Sequence, residues 1–415
     1  MKKNLLIAIA FMASTHSMHA QVALNAENFP DANFRNALAQ QFELTENGTL
    51  SAEMIANTEV LNLSQKSISD LTGIEHFNAL TVLLCPQNQL TKLDLKGNPN
   101  LTTIECQNNQ LAEIDLTNCP NLKALSCQNN SLPALNLTNN TNLESLCCSA
   151  NSLATLDLST CQALKGVVCE GNSLTSLNIS GCDQLVGLWC GENNLAELDL
   201  SGCQQLLNLG CEGNVISTLN IDDCEGIRTL FCHNNRLDAL DVSNRTDLRE
   251  LWCYDNNIQN LNVEGCESME RILFENNIIE ELNLTTCTEL IELRGNGNRI
   301  SGTNMDALIA TLPITSGSVF NAINEYSGTE SNNCTPEQVK AAMKRGWEIC
   351  AFDGFDWNSL YDDTNTPTDI KKVAEDALIQ EFYAIDGTVI SKKTMKKGLY
   401  IVKCEDGTTK KKFFR

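Results

Sequence analysis

Positive charge, histidine and aromatic residues are all scarce in this 415-residue chain. Lys and Arg number 29 against 52 Asp and Glu, a formal net charge of −23. Phosphate recognition needs clustered Lys and Arg, so this balance excludes nucleic acid and anionic membrane surfaces as partners. Of the four histidines, His16 and His19 fall in the first twenty residues, leaving His76 and His233. Neither neighbours a nucleophile motif. The chain carries no GxSxG, no HExxH and no phosphate-binding glycine loop, so neither catalysis nor a cofactor is expected. Metal-ligand spacings are missing as well: there are no CxxC pairs with partnering histidines, which argues against zinc. Beyond Leu5 to Ala13, no apolar run approaches the roughly 20 residues that span a bilayer. That run follows Lys2 and Lys3 and precedes Met18-His19-Ala20, the layout of a secretory signal over residues 1–20. Its removal would take the charge to −25 and leave an exported chain with no cysteine at the cut to carry a lipid.

What the chain has in abundance is repetition. An asparagine recurs every 21 residues at Asn88, Asn109, Asn130, Asn151, Asn172, Asn193, Asn214, Asn235, Asn256, Asn277 and Asn298. A strict period of this length predicts a stacked solenoid, each coil burying its apolar face against its neighbours. The coil starting at Leu185 reads LVGLWCGENN, then LAELDLSGCQQ, two halves that each fit LxxLx(L/C)xx(N/C). Within LxLxC the period is two, so Leu188 and Cys190 point inward and Trp189 outward. Both halves therefore predict a short strand, giving two parallel sheets. Strands on both sides at a matched spacing of about 4.8 Å predict a nearly straight rod of about eleven coils.

The pattern LxxLxCxxNxLxxLDLSxC, from about Leu61 to Ile300, resembles the nested 21-residue class of bacterial leucine-rich repeats, and internalin J-like repeats in particular. That resemblance implies a mainly β solenoid and a protein-binding surface in place of an active site. Adhesion to host or neighbouring cells would be its role.

Cysteine falls in two registers. The first holds Cys85, Cys106, Cys127, Cys148, Cys169, Cys190, Cys211, Cys232 and Cys253; the second holds Cys119, Cys161, Cys182, Cys203, Cys224, Cys266 and Cys287. Export favours disulfides. Neighbours in such a ladder are parallel and in line, however, and Cys replaces Leu as a small buried hydrophobe, so a reduced ladder is expected. Cys334 and Cys350 lie outside it, and a bond between them stays open. The asparagine ladder is read as structural, its amides bonding turn and neighbouring-coil backbone.

Residues 21–57 are expected to cap the first coil, with a helix around Asp31 to Phe42. Such leading segments often carry a calcium loop. Here Met54 stands where the bidentate Glu is needed, so the stretch from Glu43 implies no metal. The repeat region is assigned to 58–302 and a C-terminal α/β cap to 303–360. Within that cap Thr335, Pro336 and Gln338 open a helix through a capping box, and Trp347 to Phe352 form a strand. Residues 361–378 read as a linker. Residues 379–415 contain a DG turn at Asp386-Gly387, a KGLYIV strand from Lys397 and the basic end Lys410-Lys411-Lys412-Phe413-Phe414-Arg415. They resemble the C-terminal sorting domain of the type IX secretion system, which implies passage to the outer surface of a Gram-negative bacterium. A small β-module stacked on the cap is the open alternative.

Two outward columns remain. In the leucine half the exposed position is Asp or Asn from Asp94 to Asn283, Asn often separating Asp from Asp, a solvated face. In the cysteine half the column runs Leu84, Glu105, Ser126, Cys147, Val168, Trp189, Gly210, Phe231, Trp252, Leu273 and Arg294, with His233, Tyr254, Glu250 and Arg271 beside it. Aromatics and arginine gathered on one exposed strand have the makeup of a binding site. Gly210 is expected to open a two-coil slot of roughly 9–10 Å between Trp189 and Phe231, fit for a sugar ring or a planar side chain. The candidate partner is a protein on host or neighbouring cells. A glycan, and self-association of the chain, are the alternatives.

Overall fold

The computed structural model describes residues 21–415 except 46, 326, 328–329, 353–356, 361–378, 384–388, 391–397, 405–408 and 415. The expected secretory signal and linker lie outside the described residues. The chain divides into two compact units, one ending at Ser131 and one running from Leu132.

In the first unit, parallel strands Val60–Asn62, Val82–Leu84, Thr103–Glu105 and Ala124–Ser126 pair in sequence order without register shift. Helix α1 (Ala32–Gln41) precedes them and buries Phe34 and Leu38. Asp31 is its N-cap, accepting from the Phe34 N–H at 2.9 Å through Oδ1. Its Oδ2 accepts from the backbone and hydroxyl of Ser69 (2.8 and 2.7 Å) and from the Asp70 N–H (3.2 Å). One carboxylate thus caps the helix and ties it to the first coil. His76 packs edge-on against Phe29, 5.7 Å between ring centres, which gives it a packing role.

In the second unit the cysteine-half strands continue as Ser145–Cys147, Gly166–Val168, Gly187–Trp189, Asn208–Gly210, Thr229–Phe231, Glu250–Trp252, Arg271–Leu273 and Glu292–Arg294. Each after the first pairs in parallel with its predecessor at a shift of 21 residues. Leu185, Leu188, Cys190, Leu195 and Leu200 of one coil are all buried, as the alternation requires. The nineteen cysteines from Cys85 to Cys350 are free thiols, Cys334 and Cys350 among them, so no bond joins that pair. Burial pushes the ladder thiols far up, Cys85 and Cys169 to about 12, which leaves them un-ionised and unreactive at neutral pH.

The ladder asparagines do more than turn the chain. Asn214 donates from Nδ2 to Cys211 O at 3.0 Å within its own coil and to Cys190 O at 3.1 Å in the coil before, while its Oδ1 accepts from the Leu195 N–H at 2.9 Å. The same triad recurs around Asn193, Asn235, Asn256 and Asn277. Asn332, beyond the periodic region, repeats it for the last coil: it donates to Gly295 O and Ala322 O and accepts from the Ile300 N–H. Before each ladder asparagine from Gln87 to Gly297 the backbone is left-handed, with φ between 50° and 72°, even at Ala150 and Glu192. The second cysteine register plays a related part. Cys182 and Cys266 donate their thiols to carbonyls one coil back, Leu158 O at 3.5 Å and Val242 O at 3.1 Å, where Asn98 and Arg245 donate in other coils.

The leucine half departs from expectation. Strands form there only as two parallel pairs, Thr155–Asp157 with Ser176–Asn178 and Ala239–Asp241 with Asn260–Asn262, among the described residues. Asp157, Asn178, Asp241 and Asn262 of the exposed Asp/Asn column end those four strands. All ten of its members, Asp94 to Asn283, accept from the N–H two residues on at 2.7–3.2 Å. The bond closes the turn after the column position with or without a strand before it. The column is therefore a set of turn-formers as well as a solvated face.

After the coils, helix α2 (Thr303–Thr311) leads to strand Ser318–Asn324, which sequence patterning misses and which pairs in parallel with Glu292–Arg294. Helix α3 (Pro336–Met343) has the full capping box of Thr335 and Gln338. Strand Trp347–Phe352 follows, with Trp347 buried and its Nε1 donating to Pro313 O at 2.9 Å. Among the described residues of the tail, Ile379–Tyr383, Val389–Ile390, Gly398–Cys404 and Thr409–Phe414 form an antiparallel sheet.

Two outcomes follow from these bonds. Asn214→Ala orphans the Leu195 N–H in the core, while Cys211 O and Cys190 O keep Asn235 and Asn193 as donors, so urea unfolding should show a loss of roughly 1–3 kcal/mol, the cost of one buried unsatisfied group. At Asp31, burial raises the carboxyl's pKa, but the bonds from Ser69, Phe34 and Asp70 outweigh it and hold it below the usual value. A depressed carboxylate adds stability above the unfolded value of about 3.9 and loses it as pH falls through the folded one. Protection factors of the α1 amides, which correct for the intrinsic slowing of exchange in acid, should therefore fall on acidification below about pH 4, and Asp31→Ala should show the lower protection already at pH 7.

Candidate functional site

The parallel register places Val168, Trp189, Gly210, Phe231, Trp252, Leu273 and Arg294 side by side on one outward column. The rings meet one another. Phe231 stacks on Trp252 at 4.2 Å between ring centres and 23° between planes, and Trp189 leans on Phe231 at 5.8 Å and 57°. Two residues further along each strand, His233 stacks on Tyr254 at 4.2 Å and 21°, and also leans towards Trp252 at 6.0 Å. Five rings form one continuous patch. They are half-buried because each covers its neighbour, which removes conformational freedom that a partner would otherwise have to freeze out.

The expected slot at Gly210 does not exist. Trp189 swings over the glycine and fills the gap: a Cβ built on Gly210 would stand 2.3 Å from Trp189 Cε3. Without a side chain at that rung, the indole lowers its free energy by covering bare backbone and touching Phe231. Gly210 is thus a floor beneath Trp189. Leu273 is also corrected, for it is only 8% exposed, tucked beside Trp252 and continuous with the core. Glu250 and Arg271 do come together, Arg271 Nη1 to Glu250 Oε1 at 2.8 Å, and Arg271 Nε reaches on to Glu292 at 3.4 Å. Arg294 in turn pairs with Glu292 at 2.6 Å. The strand-start edge of the patch is therefore a self-neutralised ladder.

The opposite edge is different, and sequence reading passed over it. The column containing His233 and Tyr254 runs Glu170, Gly191, Glu212, His233, Tyr254, Glu275, Asn296, with no Lys or Arg anywhere in it. Glu212 leans back over Gly191 and Gly210, whose missing Cβ atoms make room for its carboxyl. Burial raises the Glu170 carboxyl, with Glu192 adding to it, and raises Glu212 against a bond from its own backbone N–H, with Glu170 and Glu192 adding to the rise. Burial takes Glu275 to about 7; its own backbone N–H and Arg294 oppose the rise, while Asp255 and Glu292 add to it. Burial lowers His233 against the pull of Asp255, so its imidazole is neutral at pH 7. The signal that would have found this edge is the alternation of small and acidic residues two places after the aromatic column.

Comparison with known proteins bears on the repeat fold. Residues 29–160 match a family model described as the LRR domain of the endo-beta-N-acetylglucosaminidase EndoS. Over 70 residues, 17% of the chain, there is 43% identity to internalin J of Listeria monocytogenes serotype 4b. That stretch spans only 8% of the relative's length. The solved functional domain of internalin J from Listeria monocytogenes, whose description includes a cysteine ladder, superposes with a TM-score of 0.59 over 97% of this chain and 100% of that one, at 23% identity. An internalin, InlF, of the same species gives 0.56 over 81% of this chain and 98% of that one, at 16% identity. The repeat region is a leucine-rich-repeat solenoid. No helix among the described residues of this leucine-rich-repeat chain is long and apolar enough to cross a membrane.

Glu275 supplies a check on the patch. A carboxyl whose pKa is raised in the fold costs stability as pH climbs from about 4.3, the ordinary Glu value, to its folded value. Glu275→Gln should accordingly melt above the parent at pH 8 and no higher than it at pH 5, read by thermal denaturation.

Proposed function

We propose that the chain is an exported, surface-exposed binding protein that engages a protein on host or neighbouring cells through the stacked rings of its cysteine-half sheet. The observation that carries this reading is the five-ring patch of Trp189, Phe231, Trp252, His233 and Tyr254 on a rigid parallel sheet. Aromatic side chains held in place are the groups that dominate protein interfaces, since they present large area at low entropic cost. Likeness to internalin J supports the same reading. Catalysis is no part of it: His233 is stacked, His76 is packed on Phe29, and the ladder thiols are buried and un-ionised.

Export rests on the Lys2-Lys3 segment and apolar run at residues 1–20, and display at a Gram-negative outer surface on the type IX-like features of residues 379–415. A sugar slot loses its support with the closing of Gly210, and a glycan would have to lie flat across the rings. Self-association through the patch is read by sedimentation at rising concentration.

The test is adhesion of the full chain to candidate cells, with partner capture from their surface proteins. Trp252→Ala should weaken binding by roughly thirtyfold, the 2 kcal/mol expected of a central aromatic anchor. Binding unchanged in both Trp252→Ala and Phe231→Ala would refute the assignment.

A further inference from the structure

The two edges of the aromatic patch differ in a way that specifies the partner. Along the strand-start edge, Glu250, Arg271, Glu292 and Arg294 satisfy one another. Along the other edge, Glu170, Glu192, Glu212 and Glu275 take part in no salt bridge among the described residues, and the column supplies no cation to make one. Shielded polar atoms gather beside them without a partner: Glu212 Oε2, Glu275 Oε2, His233 Nδ1 and Asn296 Oδ1, together with the Trp252 indole N–H. Asn296 is only 5% exposed and follows Glu275 in the same column. Three of these five atoms are acceptors, and His233 Nδ1 is a fourth when the neutral imidazole carries its proton on Nε2. Unsatisfied acceptors shielded from water are costly, and a donor-rich group lowers that cost. Arginine and lysine carry donors only, and their cations also lie favourably on the faces of aromatic rings.

The spacing adds a register. Glu212 and Glu275 stand three coils apart, about 14 Å at a strand spacing near 4.8 Å, and residues i and i+4 of an extended peptide are about 13 Å apart on one face. Residue i+2 then falls over the His233–Tyr254 and Phe231–Trp252 stacks, which lie on the two rungs between those carboxylates.

We propose that this edge is the docking site for an extended basic segment of the partner protein, laid across the strands, with cationic side chains four residues apart on Glu212 and Glu275 and an apolar side chain between them on the ring stacks. This deepens the function proposed above and rests on it. The strand-start edge, already neutralised, sets the lateral limit of the site.

The probe is the peptide acetyl-Arg-Ser-Leu-Ser-Arg-amide, titrated into the full chain and followed by tryptophan fluorescence and calorimetry. Glu212→Gln with Glu275→Gln, which keeps shape and removes two charges, should weaken binding at least tenfold. Asp157→Asn with Asp199→Asn removes the same charge from the leucine half, where Asn already occupies alternate rungs, and should change binding by less than twofold. A peptide with its arginines adjacent should bind several-fold more weakly, and affinity should fall steeply between 50 and 500 mM salt. Equal losses in the two charge-neutralised pairs, or none in the first, would overturn the proposal by showing diffuse attraction or none. Competition by a neutral oligosaccharide that displaces the peptide would overturn it in favour of a sugar. Cell adhesion lost in Trp252→Ala but kept in the Glu212→Gln/Glu275→Gln pair would sink this inference while leaving the adhesive function standing.

Discussion

Everything in the repeat region depends on the asparagine that closes each cysteine half. A solenoid stacks its turns, so backbone N–H and C=O groups at every turn point at a neighbouring coil and away from water. Each ladder asparagine answers three of them, one within its own coil and two in the coil before. A side chain with both a donor and an acceptor on one planar head can do this; a carboxylate or a hydroxyl of similar size cannot supply the same set. The left-handed residue before it aims the amide inward, which is why that backbone is kept even at Ala150 and Glu192.

A fixed pitch has consequences on the outer face. Because every coil advances by one strand spacing without register shift, residues 21 apart become lateral neighbours. Trp189, Phe231 and Trp252 are far apart in sequence and within contact distance in space for that reason alone. The same rule that lines up the rings lines up the carboxylates of Glu212 and Glu275 beside them. Two glycines then set local detail: Gly210 seats the Trp189 indole, and Gly191 seats the Glu212 carboxyl.

The solenoid, the inward cysteines and the outward aromatic column were legible because all three are statements about period, and period survives folding. Helix α1 with its Asp31 cap and the Thr335–Gln338 capping box were legible because their bonds are local. Strand Ser318–Asn324 was not, since it is held by pairing with Glu292–Arg294 and with Trp347–Phe352 rather than by its own pattern. The thinness of the second sheet was not legible, because leucine-half coils with and without a strand share the same alternation and the same Asp/Asn turn bond.

The amino-acid order alone determined which side chains face in, which face out and which coil follows which, since alternation along a strand and a constant repeat length need no further information. Tertiary structure decided how the outward groups settle against one another. Rotamers respond to what the neighbouring coil leaves open, so a glycine that on paper made a cavity became the place where an indole lies down, and carboxylates that on paper were spread along a rod became the uncompensated border of an aromatic patch.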